Sequence, residues 1–212
     1  MPSASRAPTP PSTYHHGDLR AALVAAALHI LEAEGLGAMS LRAVARAVGV
    51  SQTAPYRHFP DRRALVGAVA AEGFRRLEVA MQRAMASNAG RIGFKDVARA
   101  YVAFGRANPA LYRVMFGPEV ADTHDLPELA ATSTSALRFV QGGLEQLQAA
   151  GLVRAGDASV MATITWASLH GLVSIILDGH SSATREDELL EAITQLVMFG
   201  LAPRAPATLP TA

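Results

Sequence analysis

The stretch Ser40-Leu-Arg-Ala-Val-Ala-Arg-Ala-Val-Gly-Val-Ser-Gln-Thr-Ala-Pro-Tyr-Arg-His-Phe59 decides the fold of this chain. Ser40 suits the cap of a short helix over residues 41–48, and Gly49 stops it. Ser51 or Gln52 then opens a further helix, which is predicted to reach His58. Leu41, Val44, Ala45, Val48 and Val50 make one apolar side. Ala43, Ala45, Ala47 and Gly49 are small enough to let two helices cross closely. Two short helices meeting at a glycine, the second polar at its start, are the grammar of a helix-turn-helix.

The polar groups of this stretch are those that read DNA. Gln52, Thr53, Tyr56 and Arg57 are expected to face outward. Gln and Thr hydrogen-bond base edges, Tyr and His reach phosphate oxygens, and Arg does either. Ser40 and Ser51 place hydroxyls and free backbone N–H groups at helix starts, where an anion is favoured. Arg42 sits one turn into its helix, within reach of backbone or groove. Pro55 is tolerable only in a first turn, where few N–H bonds are lost.

Upstream, a helix is predicted over about residues 18–34. Leu19, Leu23, Ala26, Ala27, Ile30 and Leu31 share one face, with Asp18 as cap or first-turn acid and Gly35 as the stop. Downstream, Pro60-Asp61 starts a long helix whose face is Val66, Ala70, Phe74, Leu77, Met81 and Met85. Further helices are expected over about 94–107, from Asn108-Pro109 to 115, from Pro127 to about 150, from the Asp157 cap along 158–177, and from a capping box at Thr184 to Asp187 to about 201. The expectation is an all-α chain of about nine helices, three of them in an N-terminal head.

Composition agrees with that reading. The chain has 212 residues, half of them hydrophobic, and no cysteine, which excludes wholesale disorder, disulfide scaffolds, Cys-ligated zinc and thiol catalysis. Net charge is +1, yet residues 1–63 hold seven Arg/Lys against four Asp/Glu, while the remainder is mildly acidic. A basic head on an acidic body points weakly to a polyanion. Residues 158–177 carry no formal charge, long enough to span a bilayer, but Ser, Thr, Trp, His and Gly run through them. A helix buried in a core or subunit interface is the preferred reading, with no membrane partner. No secretory signal is read at the N-terminus.

Residues 15–66 resemble the TetR family of bacterial transcription regulators. The resemblance is carried by His15-His16-Gly17-Asp18-Leu19-Arg20, the run Ala27-Leu28-x-Ile30-Leu31-Glu32-x-x-Gly35, the helix-turn-helix, Tyr56-Arg57-His58-Phe59, and Asp61-Arg62-Arg63-Ala64-Leu65. It implies phosphate contacts from Tyr56, His58 and Arg62, the last where many members carry Lys. The sequence departs from the family at Ala54-Pro55, where a Leu or Ile usually precedes the Tyr. Trp166-Ala-Ser-Leu-His170-Gly171 looks like the Trp…His-Gly signature of one C-terminal subclass. The resemblance further implies dimerisation through the last two long helices and a small-molecule pocket in the body.

Each body feature has two readings. Trp166 and His170 share a helix face and either border a ligand cavity or form a packed core pair. Tyr101, Phe104, Tyr112, Met115, Phe116 and Phe139 line a pocket or are plain core. Ala167, Gly171 and Ser174 form a small-residue face suited to a dimer interface, joined by Leu189, Ile193 and Leu196 on the last helix. His15-His16 has no second pair to make a metal site. The expected organisation is an arm at 1–13, a DNA-binding head at 14–60, a ligand-binding and dimerisation body at 61–202, and a tail at 203–212, arm and tail both disordered. The expected function is a cytoplasmic, homodimeric repressor of a palindromic double-stranded operator, released by a small apolar or amphipathic effector, with no cofactor and no catalysis. The alternatives are a regulator without an effector, or an activator.

Overall fold

The computed structural model describes residues 16–86, 93–153, 155–180 and 183–201. The expected arm and tail, and His15, lie outside them, as do the side chains of Asp18, Thr184 and Leu196. The described residues form eight α-helices and three one-turn 3-10 helices, with no strand among them. The helices are α1 (His16–Glu34), α2 (Leu41–Val48), α3 (Arg62–Ala86), α4 (Phe94–Ala107), α5 (Pro109–Met115), α6 (Pro127–Ala149), α7 (Ala158–Leu177) and α8 (Ala183–Leu201). The protein is all-α. The chain divides into two compact units between Arg62 and Arg63.

The first unit follows from its caps. Ser40 is extended, and its hydroxyl accepts from the Ala43 N–H, which starts α2. Gly49, at φ +78°, takes the left-handed conformation that stops it. The Gly49 N–H then bonds the Arg46 carbonyl and the Val50 N–H bonds the Ala45 carbonyl, the paired pattern of a Schellman motif. Leu23, Ala27, Ile30 and Leu31 of α1 are buried with Leu41, Val44 and Ala45 of α2.

The expected helix from Ser51 to His58 does not form. In its place stands a single 3-10 turn, Ala54–Arg57. Pro55 has no N–H to give to the preceding turn, so the Ser51 carbonyl takes the Ala54 N–H instead, in the shorter three-residue register. The Pro55 carbonyl then accepts from both His58 and Phe59. This correction brings the α-helix count to eight. Two further 3-10 turns, Leu36–Ala38 and Pro118–Val120, lie between helices. The last helix begins at Ala183, so Thr184 lies inside it and not at its cap.

The second unit is a bundle in which α7 packs on α4, α6 and α8. Asp157 caps α7 by accepting from the Ser159 and Val160 N–H groups. Leu144, Leu147, Val153, Met161 and Ala162 form a core cluster, with Phe94, Leu137, Val140 and Ile193 packed against it. The crossing of α4 and α7 is close enough that a Cβ on Gly105 would lie 2.5 Å from Val173 Cγ1. A β-branched valine has little rotamer freedom to yield. Gly105→Ala is therefore expected to destabilise the protein by about 1–3 kcal/mol, despite alanine's higher helix propensity. Gly142→Ala in α6, where a Cβ would meet nothing within 4 Å, serves as the control and is not expected to lower stability. Urea titration of both variants checks this; equal stabilities would contradict the close crossing.

Candidate DNA-binding surface and effector cavity

In the first unit, Arg42, Ser51, Gln52, Thr53, Tyr56 and Arg57 are exposed, Ser40 and His58 partly so. Tyr56 keeps 51% of its surface in solvent although it is large and aromatic. Pro55 and Phe59 on either side are buried and hold the turn that presents it. The Arg20 guanidinium lies over the Phe59 ring, 5.3 Å from its centroid. Ser51 and Thr53 share a hydroxyl–hydroxyl hydrogen bond of 3.2 Å. A shallow depression gathers Ser40, Arg42, Tyr56 and Arg62, together with Leu41, Pro60 and Asp61. Residues separated by as many as 22 positions thus meet on one surface.

Arg62 is tied to the backbone of its own unit. Its Nε–H donates to the Met39 carbonyl (2.9 Å) and its Nη2 to the Leu36 carbonyl (2.7 Å). These bonds hold the turn that leads into α2. The resemblance implies a phosphate contact for Arg62; in the structure its guanidinium binds two backbone carbonyls.

The second unit encloses an apolar cavity with about 50 Å³ of free space. Its wall comes from α3 (Phe74, Leu77, Met81, Met85), from Phe94, Val97, Ala98 and Tyr101 of α4, from α6 and from α7. Of the expected pocket residues, Tyr101, Phe139 and Trp166 line it, whereas Phe104, Tyr112, Met115, Phe116 and His170 do not. Several of the latter form an aromatic cluster. Phe116 lies 4.3 Å from His170, 4.8 Å from Tyr112, 5.3 Å from Phe74 and 5.8 Å from Trp166, centroid to centroid.

A hydrogen-bond relay threads this cluster. Trp166 Nε1–H donates to Tyr101 Oη (3.0 Å). Tyr101 Oη lies 2.9 Å from Tyr112 Oη, which lies 2.8 Å from His170 Nδ1. Each of these two contacts can run in either direction, since either tyrosine can be the donor and the role of His170 Nδ1 follows from its tautomer. Burial pushes the Tyr101 hydroxyl up to about 12, against the downward pull of its hydrogen bonds, and pushes Tyr112 further up still. Both remain protonated. Burial also holds the His170 imidazole below its ordinary 6.5.

A histidine depressed on folding is protonated first in the unfolded chain. Stability is therefore complete above pH 6.5 and erodes as pH falls below it. The melting temperature is expected to drop from about pH 7 to about pH 5, less steeply in His170→Gln. Parallel pH profiles for the two proteins would contradict the relay.

On α7, Val160 (53% exposed), Ile164 (55%), Ala167 and Ile175 (46%) form an outward apolar face, with Gly171 partly open among them. Ser174 turns its hydroxyl back to the His170 carbonyl. Leu189 is half-buried, and Ile193 packs partly into its own core. Among the described residues α7 is the one helix long and apolar enough to cross a membrane, and its buried side packs within the bundle.

Two family models match the chain. One, described as bacterial regulatory proteins of the tetR family, covers residues 23–69; the other, described as a Tetracyclin repressor-like C-terminal domain, covers 94–197. The chain belongs to the TetR family of bacterial transcription regulators. As a TetR-family member it is a DNA-binding transcription regulator and not an enzyme. A solved structure of a protein with unknown function from Rhodococcus sp. RHA1 is 34% identical, with a TM-score of 0.79, over 92% of this chain and 100% of that one. The fatty acid degradation regulator FadR from Bacillus halodurans shares the fold at 16% identity and a TM-score of 0.68, over 90% and 100% of the two chains. A TetR family regulator from Marinobacter aquaeolei VT8 does so at 21% and 0.65, over 88% and 96%. No curated protein matches the chain.

Proposed function

We propose that this TetR-family protein is a homodimeric repressor of a palindromic operator in the bacterial cytoplasm, released by a small apolar or amphipathic effector. The observation that carries the effector is the apolar cavity. Helix α3 supplies four of its wall residues, and α3 begins at Arg62, the residue that holds the Leu36 and Met39 carbonyls. A molecule that spreads the cavity wall moves this helix. Two recognition segments must stand about 34–36 Å apart to enter successive major grooves. An effector shifts that spacing only by its differential affinity for the two states.

In this reading Gln52 and Thr53 read bases. Ser40, Arg42, Ser51, Tyr56, Arg57, His58 and Arg62 hold phosphates or groove edges. The outward face of α7, through Ala167, Gly171 and its neighbours, makes the dimer with α8. The Trp166…His170-Gly171 signature supplies the core relay beside the cavity. The small free volume favours a second reading, a regulator with no effector. Selection of bound duplexes from a random pool, followed by a metabolite screen for release, tests both. Inverted repeats released by apolar compounds are expected; selected sites without two-fold symmetry would contradict the proposal, and a screen without a hit would favour the second reading.

A further inference from the structure

We propose that the cavity selects an uncharged, largely apolar molecule over one that carries a carboxylate or an ammonium group. This rests on the cavity being the effector site. No Asp, Glu, Lys, Arg or His is among its described lining residues. A carboxylate or ammonium taken inside would lose its water and find no opposite charge, which costs several kcal/mol. The four polar side chains of the wall are already committed. Thr165 donates to the Met161 carbonyl and Ser133 to the Ala130 carbonyl. Trp166 spends its N–H on Tyr101, whose hydroxyl is hydrogen-bonded to that of Tyr112.

With about 50 Å³ of free space the cavity takes a larger molecule only if its walls give. Met81 and Met85 are unbranched and adapt readily, and Phe139 is only half-buried.

The test is displacement of the uncharged fluorophore N-phenylnaphthylamine from the full-length protein by decanol, decanone, decanoate and decylammonium. Decanol and decanone are expected to displace it at about one tenth or less of the concentration that either ion requires. A decanoate or decylammonium that matches them overturns the inference. Gly143→Leu separates this from the underlying reading. A Cβ there meets only Met85 Cε, at 3.6 Å, so the new side chain enters the cavity without a backbone clash. Fluorophore that fails to bind, or binds Gly143→Leu unchanged while that variant melts normally, removes the cavity as effector site and the inference with it.

Discussion

Ile164→Arg is expected to leave the chain folded, convert it to a monomer, and lower its affinity for a selected operator by about a thousandfold or more. Ile164 is 55% exposed and fills no space in its own core. Its neighbours on α7, Val160, Ala167, Gly171 and Ile175, offer a second copy a row of apolar and small groups at helical spacing. A two-fold interface brings each patch against itself, so one substitution places two like charges face to face. A monomer engages one half-site and loses the gain that separates specific from non-specific binding. Sedimentation gives the mass, and fluorescence anisotropy on the selected duplex gives the affinity. A variant that stays dimeric and binds as tightly as the parent would remove α7 from the interface.

Gln52→Ala is expected to cost about 1–3 kcal/mol of discrimination between the preferred duplex and its variants. Gln52 stands exposed at the start of the turn that presents Tyr56, and its amide can both donate and accept at a base edge. Tyr56→Phe is the contrast. It removes one hydroxyl and should weaken binding to every sequence alike, as loss of a phosphate contact does. Competition binding against a panel of single-base operator variants distinguishes the two. If Gln52→Ala ranks the panel as the parent does, Gln52 positions the protein without reading sequence.

The elements readable in the sequence were those with local causes. Ser40 and Gly49 bound α2, Asn108-Pro109 opens α5, and Asp157 caps α7, because capping depends on residues within one turn. The segment after Gly49 misled because its polar start and length resembled a helix, while one missing N–H at Pro55 was enough to shorten it to a 3-10 turn. The tie of Arg62 to Leu36 and Met39 spans 26 and 23 positions and rests on a turn with no strong signal of its own. The aromatic residues of the body were recognisable as a set. Their order in the relay was not, since Trp166 and Tyr101 stand 65 positions apart. Ser133, Ala136 and Gly143 also line the cavity, and small residues like these carry no chemical signal in the sequence.

The most direct measurement is the mass of the complex with a duplex chosen by the protein itself, taken at low ionic strength. Two chains, or a multiple of two, on an inverted repeat are expected. A single chain per duplex, or no retention of double-stranded DNA at all, would contradict a symmetric pair of grooves read by the turn from Gln52 to His58.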